Sequence, residues 1–171
     1  MKKIYIDAHE DPVVVKTHTR VSEALLAIRE NLLMACGGKG LCATCHVYVV
    51  EGPDCLSPLT PRERLSLDML CDRQPNSRLA CQCKVLQEGV KVALPQGRFI
   101  SGTGDLERLI GRRAEEKILN PSNGAVLIAA GKIITRSRLA ELAFVNVDIA
   151  EMRTRSLSHS EDAQPLATKP R

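Results

Sequence analysis

The chain predicts an α+β fold: a small roll in which a mixed sheet wraps one helix. Three observations carry this. Two short β-rich runs open the chain and are joined by a polar turn. An apolar stripe at helical spacing follows. Three further β-rich runs then alternate with turn signals and with one strongly capped helix.

In order, residues 2–7 (Lys-Lys-Ile-Tyr-Ile-Asp) and 13–17 (Val-Val-Val-Lys-Thr) read as strands joined through His9-Glu10-Asp11-Pro12. Val21, Leu25, Ile28 and Leu32 recur at helical spacing, so a helix is expected near 20–33 with Thr19 as its N-cap. A glycine-rich loop follows. His46-Val-Tyr-Val-Val-Glu51 is a third strand, stopped by Gly52-Pro53. Thr60-Pro61-Arg62-Glu63 places Thr at the N-cap, Pro at N1 and Glu at N3, a capping box for a helix running to about Cys71. Residues 79–83 and 90–94 read as two more strands, and Pro95-Gln96-Gly97 closes this unit near residue 100.

Beyond it, Ser101–Gly104 reads as a linker. Its Gly-x-Gly follows no strand and lacks the rest of a dinucleotide fingerprint. Residues 114–119 and 125–129 are expected to pair through the turn Asn120-Pro-Ser-Asn-Gly124. Thr135 caps a helix through Leu142, and residues 145–149 give a last strand. From Arg153 the sequence is polar and reads as a disordered tail. The expected organisation is therefore 1–100, an accessory module over 101–152, and a tail over 153–171.

The 171 residues carry a net charge of +4, and the two parts are alike: 13 Lys/Arg against 11 Asp/Glu before residue 101, and 11 against 9 after it. With no basic cluster and only two Tyr, two Phe and no Trp, nucleic-acid binding is not expected. No apolar run approaches the roughly 20 residues of a membrane span. The opening Met1-Lys-Lys-Ile-Tyr-Ile-Asp7 lacks the apolar core of a secretory signal. A soluble, cytoplasmic protein is expected. In that compartment seven cysteines read as metal ligands plus spare thiols rather than disulfides.

Cys36-Gly-Gly-Lys-Gly-Leu-Cys42-Ala-Thr-Cys45-His46 puts three thiols within ten residues at C-x5-C-x2-C spacing, and Cys81-Gln-Cys83 adds two more from a distant strand. Four thiolates of this kind hold two irons and two sulfides, and the sulfides need hydrogen-bond donors. The glycines let the backbone wrap closely, so Gly37, Gly38, Gly40, Ala43 and Thr44 are the expected N–H donors. Such donors raise the reduction potential, and the anionic thiolates lower it.

Other readings fit less well. Structural zinc favours two paired knuckles, and Cys81-Gln-Cys83 is too tight for the second. Cys42-Ala-Thr-Cys45-His46 is a literal c-type haem motif, but haem leaves Cys36 and Cys81 without a role. Inert buried thiols do not account for three in ten residues beside three glycines. Within the strand read over 79–83, residues two apart share a face, which leaves Cys83 a rival to Cys81 as the fourth ligand.

Cys36-x5-Cys42-x2-Cys45-His46, Ser77-Arg-Leu-Ala-Cys81-Gln82 and Val92-Ala-Leu-Pro95 together resemble the 2Fe-2S ferredoxins of the adrenodoxin and bacterial type, over residues 1–100. Plant-type ferredoxins have one residue fewer between the first two cysteines. The resemblance implies a β-grasp (ubiquitin-like) roll, one 2Fe-2S cluster, and Cys36, Cys42, Cys45 and Cys81 as its ligands. It also implies a one-electron carrier at negative potential, no catalysis of its own, and two protein partners, a reductase and an electron acceptor. Cys55 and Cys71 are left as free thiols.

The chain departs from that family in two ways. Adrenodoxin-like proteins present an acidic helix, whereas here Arg62 and Arg64 interleave Glu63, Asp68 and Asp72. And the chain continues past residue 100, into a module expected to cover the cluster, form an oligomer, dock a partner or simply pack on the first unit. A redox sensor signalling through that module, and a zinc-stabilised interaction module, are the competing functions.

Overall fold

The computed structural model describes residues 1–30, 32–100 and 104–142. The first unit comprises β1 (Lys2–Ile6), β2 (Val13–Val15), α1 (Val21–Ala27), β3 (His46–Glu51), a 3-10 turn at Pro53–Cys55, α2 (Pro61–Asp68), β4 (Ser77–Leu79) and β5 (Val90–Ala93). Its five-stranded sheet has the order β2-β1-β5-β3-β4, parallel between β1 and β5 and antiparallel elsewhere. This is the β-grasp roll. Alternate residues of the strands (Ile4, Ile6, Val47, Val49, Val90, Val92) meet Val21, Ala24 and Leu25 of α1 in one core. Aliphatic side chains fill it, as the scarcity of aromatics requires.

The helix α1 is shorter than its apolar stripe predicts. Arg29 adopts φ +59°, which a right-handed helix does not tolerate, so the last helical residue is Ala27. Ile28 and Leu32 still pack on the core from the following loop, which is why the periodicity overstates the helix. Thr19 does not cap it. The N-cap is Arg20, with no side-chain bond, and the Val21 and Ser22 N–H groups donate to the Cys83 and Ala80 carbonyls at 3.1 and 2.9 Å. A distant segment thus takes the part of the cap.

At α2, Thr60 Oγ1 accepts from the Glu63 N–H at 3.1 Å as expected, but the reciprocal half of the capping box is missing. The Glu63 carboxylate turns inward, fully buried, and accepts from Arg78 Nε (2.8 Å), Arg78 Nη2 (3.1 Å) and the Leu79 N–H (2.9 Å). The helix stops at Asp68, short of Cys71. The strand expected over 79–83 ends at Leu79, because the Gln82 and Cys83 N–H groups both fold back onto the Leu79 carbonyl.

The second unit contains β6 (Arg98–Phe99), α3 (Gly104–Glu107), β7 (Ile118–Leu119), β8 (Val126–Ile128) and α4 (Arg136–Glu141). β6 runs parallel to β7 and β7 antiparallel to β8. Ile100, Leu106, Ile118, Ile128, Ile134 and Leu139 are among the residues of a core separate from the first. Thr135 caps α4 by accepting from the Arg138 N–H at 3.2 Å. The short β6 and α3 have too few residues to leave a periodic signal. The linker residues 101–103, the strand expected over 145–149 and the tail expected from 153 lie outside the described residues.

Two predictions concern the buried polar groups. Replacing Arg78 by Met strands the Glu63 carboxylate, so urea unfolding is expected to show a loss of about 3–5 kcal/mol, partly recovered in the double variant Glu63→Leu/Arg78→Met. Burial pushes the His46 imidazole down from 6.5 to about 4, against a smaller opposing pull from Asp72. Between those values the unfolded chain binds a proton that the fold refuses, so stability is highest above about pH 6.5 and falls as pH drops towards 4. At ~1.4 kcal/mol per unit, His46→Asn is expected to shrink the stability loss between pH 7 and pH 5 by about 2 kcal/mol in urea titrations.

Candidate metal centre

The loop between α1 and β3 is held from several sides. The Ala35 N–H donates to Thr44 Oγ1 at 3.2 Å and closes the loop across its base. Ser66 Oγ of α2 donates to the Gly40 carbonyl at 2.6 Å, and Gln82 Nε2 donates to the Gly38 carbonyl at 3.0 Å. Gly40 has φ +71°, and a Cβ there would lie 2.8 Å from the Gln82 side chain, so this position takes no larger residue without moving Gln82.

The fourth thiol arrives through strand register. His46 of β3 pairs with Leu79 of β4, and the Ala80 N–H donates to the Cys45 carbonyl at 2.9 Å, which sets Cys81 against Cys45. Cys36, Cys42, Cys45 and Cys81 are all buried, between 0 and 2 % exposed. Their side chains meet in two hydrogen-bonded pairs, Cys36 with Cys42 and Cys45 with Cys81. Among the described residues no three His, Cys, Asp or Glu side chains converge on a single metal-ion position.

Each pair holds one sulfur ready to ionise. The Cys42 thiol donates to Cys36 and, with the Leu41, Lys39 and Gly40 N–H groups helping and burial opposing, brings Cys36 down to about 5. Cys45 does the same for Cys81, which falls to about 7 with help from the Gln82 side chain and the Gly40 N–H. Cys42 and Cys45 are pushed up by the same thiol–thiol bonds and by burial. Thr44 Oγ1 lies 3.1 Å from Cys42 Sγ, and Gln82 Nε2 donates to Cys81 Sγ at 3.3 Å.

The backbone donors differ from those expected. The Gly37 N–H donates to the Met34 carbonyl at 2.8 Å, and the Ala43 N–H to the Pro121 carbonyl of the second unit at 2.9 Å. Both are therefore engaged away from sulfur, and the correction has a simple cause: the loop closes a turn at Met34, and a neighbour reaches Ala43. Lys39 and Leu41, not among the expected donors, instead point N–H groups at Cys36. The Gly40 N–H reaches Cys36 and Cys81, and the Thr44 N–H reaches Cys42. For Gly38 the bond formed is through its carbonyl, to Gln82. Gln82 itself had no signal beyond standing next to Cys81.

Cys83, like Cys81, lies past the end of β4, so strand alternation does not decide which face it takes. It is fully buried in the first core, and burial, against the pull of Arg78, pushes its thiol up to about 12. Cys55 is half-buried and Cys71 exposed at the end of α2. His46 is buried, with Nε2 2.9 Å from Ser77 Oγ and its ring edge-on to Tyr48 at 4.6 Å.

A pair of irons wants four thiolates, two on each metal, in a water-poor pocket with N–H groups aimed at sulfur. The residues present fit that requirement. A 2Fe-2S iron-sulfur cluster binding domain matches residues 4–86. The chain is 39 % identical over 91 residues to ferredoxin CarAc of Sphingomonas, covering 50 % of this chain and 84 % of that one. It is 33 % identical over 102 residues to the 2Fe-2S ferredoxin of Haemophilus influenzae, covering 56 % of this chain and 90 % of that one. The crystal structure of the ISC-like 2Fe-2S ferredoxin FdxB from Pseudomonas putida superposes with a TM-score of 0.52 at 31 % identity, over 56 % of this chain and 93 % of that one. With the β-grasp roll and the paired thiols, these likenesses place the chain in the adrenodoxin-like bacterial branch of the 2Fe-2S ferredoxin family, with one 2Fe-2S cluster as its cofactor.

Proposed function

We propose that the protein is a one-electron carrier working at negative potential between a reductase and an acceptor, with Cys36, Cys42, Cys45 and Cys81 as ligands and no catalysis of its own. The observation that carries this is the meeting of four buried thiols where the glycine-rich loop joins the end of β4, with the β3–β4 register bringing Cys81 to Cys45. When bound, the cluster supplies reversible one-electron chemistry. The chain's own residues hold the four sulfurs, exclude water through Leu41 and Ala43, and direct N–H groups from Lys39, Gly40, Leu41 and Thr44 at them. Four anionic sulfurs in a buried site favour the oxidised state and a negative potential; the donors moderate it. Among the described residues no helix is long and apolar enough to cross a membrane, which agrees with a carrier that diffuses between partners in the cytoplasm.

A redox sensor is the second reading, and one contact favours it. The Asn120–Gly124 turn of the second unit is bonded to Ala43 in the cluster loop and, through the Asn123 carbonyl, to the Cys71 N–H at 2.9 Å. A change in the loop would thereby be felt by residues 101–152, which we read as an accessory module. Deleting residues 101–171 is expected to leave transfer from dithionite to an added oxidant within about threefold for a carrier; loss of transfer, or a partner released on reduction, would favour the sensor.

The purified protein is expected to be red-brown, to bleach on dithionite and to give a low-temperature EPR signal in the reduced state. A colourless, EPR-silent sample after anaerobic reconstitution, or one holding zinc, would overturn the carrier. Cys81→Ser should abolish or grossly change the visible spectrum, whereas Cys83→Ser should keep it. The reverse result would transfer the fourth ligand to Cys83.

A further inference from the structure

We infer that this carrier docks an acidic partner, through a basic and apolar rim formed by Gly37, Lys39, Arg62 and Met69. The inference rests on the carrier reading above and concerns which side of the loop is open and what charge it bears. One side is closed by the chain itself. Pro121 is buried, its carbonyl holds the Ala43 N–H, and Gly124 packs against Leu70 and Asp72 at the end of α2. Of the loop over residues 36–45, only Gly37 and Lys39 are exposed. A partner's redox group therefore comes nearest the thiols at Gly37 and Lys39.

The helix α2 flanks that opening. Ser66, bonded to the Gly40 carbonyl, marks the side of the helix turned to the loop. Residues three and four apart share a helical face, so exposed Arg62 and Met69 border the loop on either side of Ser66, whereas Arg64 lies on the far flank. Met69 is 40 % exposed and offers an apolar contact beside the cations.

The acids that sequence counting sets against these cations are already engaged. Glu63 is buried against Arg78 and Asp68 pairs with Arg73; Asp72 keeps its charge, but it bonds the Tyr48 hydroxyl at 3.0 Å and lies against Gly124 on the closed side. No ion pair or side-chain hydrogen bond engages Lys39 or Arg62 among the described residues. The mixed composition of α2 thus resolves into a positive edge at the opening. Clustered unpaired cations steer an oppositely charged surface and speed its encounter at low salt. The partner that fits presents carboxylates around its own redox centre.

The test uses the full-length, cluster-loaded protein, reduced and mixed in stopped flow with two probes of opposite charge, acidic plastocyanin and basic cytochrome c. Plastocyanin oxidation is expected to slow as salt rises. In Lys39→Glu/Arg62→Glu it is expected to fall about tenfold at low salt while cytochrome c oxidation rises. Arg64→Glu, on the far flank, should change either rate less than about twofold. Rates that do not respond to the double reversal, or that respond equally to Arg64→Glu, overturn the docking face and leave the carrier intact. A protein that dithionite cannot reduce, or that passes no electron to either probe, overturns both.

Discussion

The register between β3 and β4 is the constraint on which the site depends. Three of its sulfurs come from one loop, but the fourth follows only after thirty-five intervening residues. Pairing His46 with Leu79 and bonding the Ala80 N–H to the Cys45 carbonyl brings Cys81 to Cys45. A slip of one residue would turn Leu79 out of the core and carry Cys81 away from its partner. The Glu63 carboxylate fixes that register from outside the sheet by taking both the Arg78 guanidinium and the Leu79 N–H. The same helix that supplies Glu63 supplies Ser66 to the cluster loop, so one helix secures both halves of the sulfur set.

This arrangement explains why polar groups are buried beside a site that must exclude water. Glu63, His46, Ser66, Ser77 and Thr44 are all buried, and no buried side-chain nitrogen or oxygen among the described residues lacks a hydrogen-bond partner. A network satisfied in this way orients backbone more sharply than apolar packing does, because each bond has a direction. His46 remains neutral there, so it brings no positive charge beside the sulfurs.

The second unit is more than an appendage. It has its own core, yet its Asn120–Gly124 turn reaches the cluster loop and the end of α2 through two backbone bonds. The turn is built for this by its own side chains: Asn120 Oδ1 accepts from the Ser122 N–H and Asn123 Oδ1 from the Ala125 N–H, at 2.8 and 3.0 Å. Its Pro121 carbonyl takes the Ala43 N–H, which is therefore not free to face the sulfurs.

The sequence by itself determined the roll, the thiol spacing and the caps at Thr60 and Thr135, because these are written in neighbouring residues: alternation, helical spacing, Thr followed three residues on by a waiting N–H. It also determined Asn120–Gly124 as a turn. Strand alternation by itself left Cys83 a rival to Cys81, which the family resemblance favoured, since a β-rich run over 79–83 looks like a strand until the Leu79 carbonyl draws both following N–H groups back. In the tertiary structure Cys81 lies against Cys45, and Cys83 is buried deeper in the same core. That structure alone turned Glu63 inward, engaged Gly37 and Ala43 with carbonyls, and paired Glu63 and Asp68 with arginines, so that among the described residues Arg62 and Lys39 have no ion-pair partner. Each of these depends on a partner distant in the chain, and hydrogen bonds between distant residues leave no period in the sequence to read.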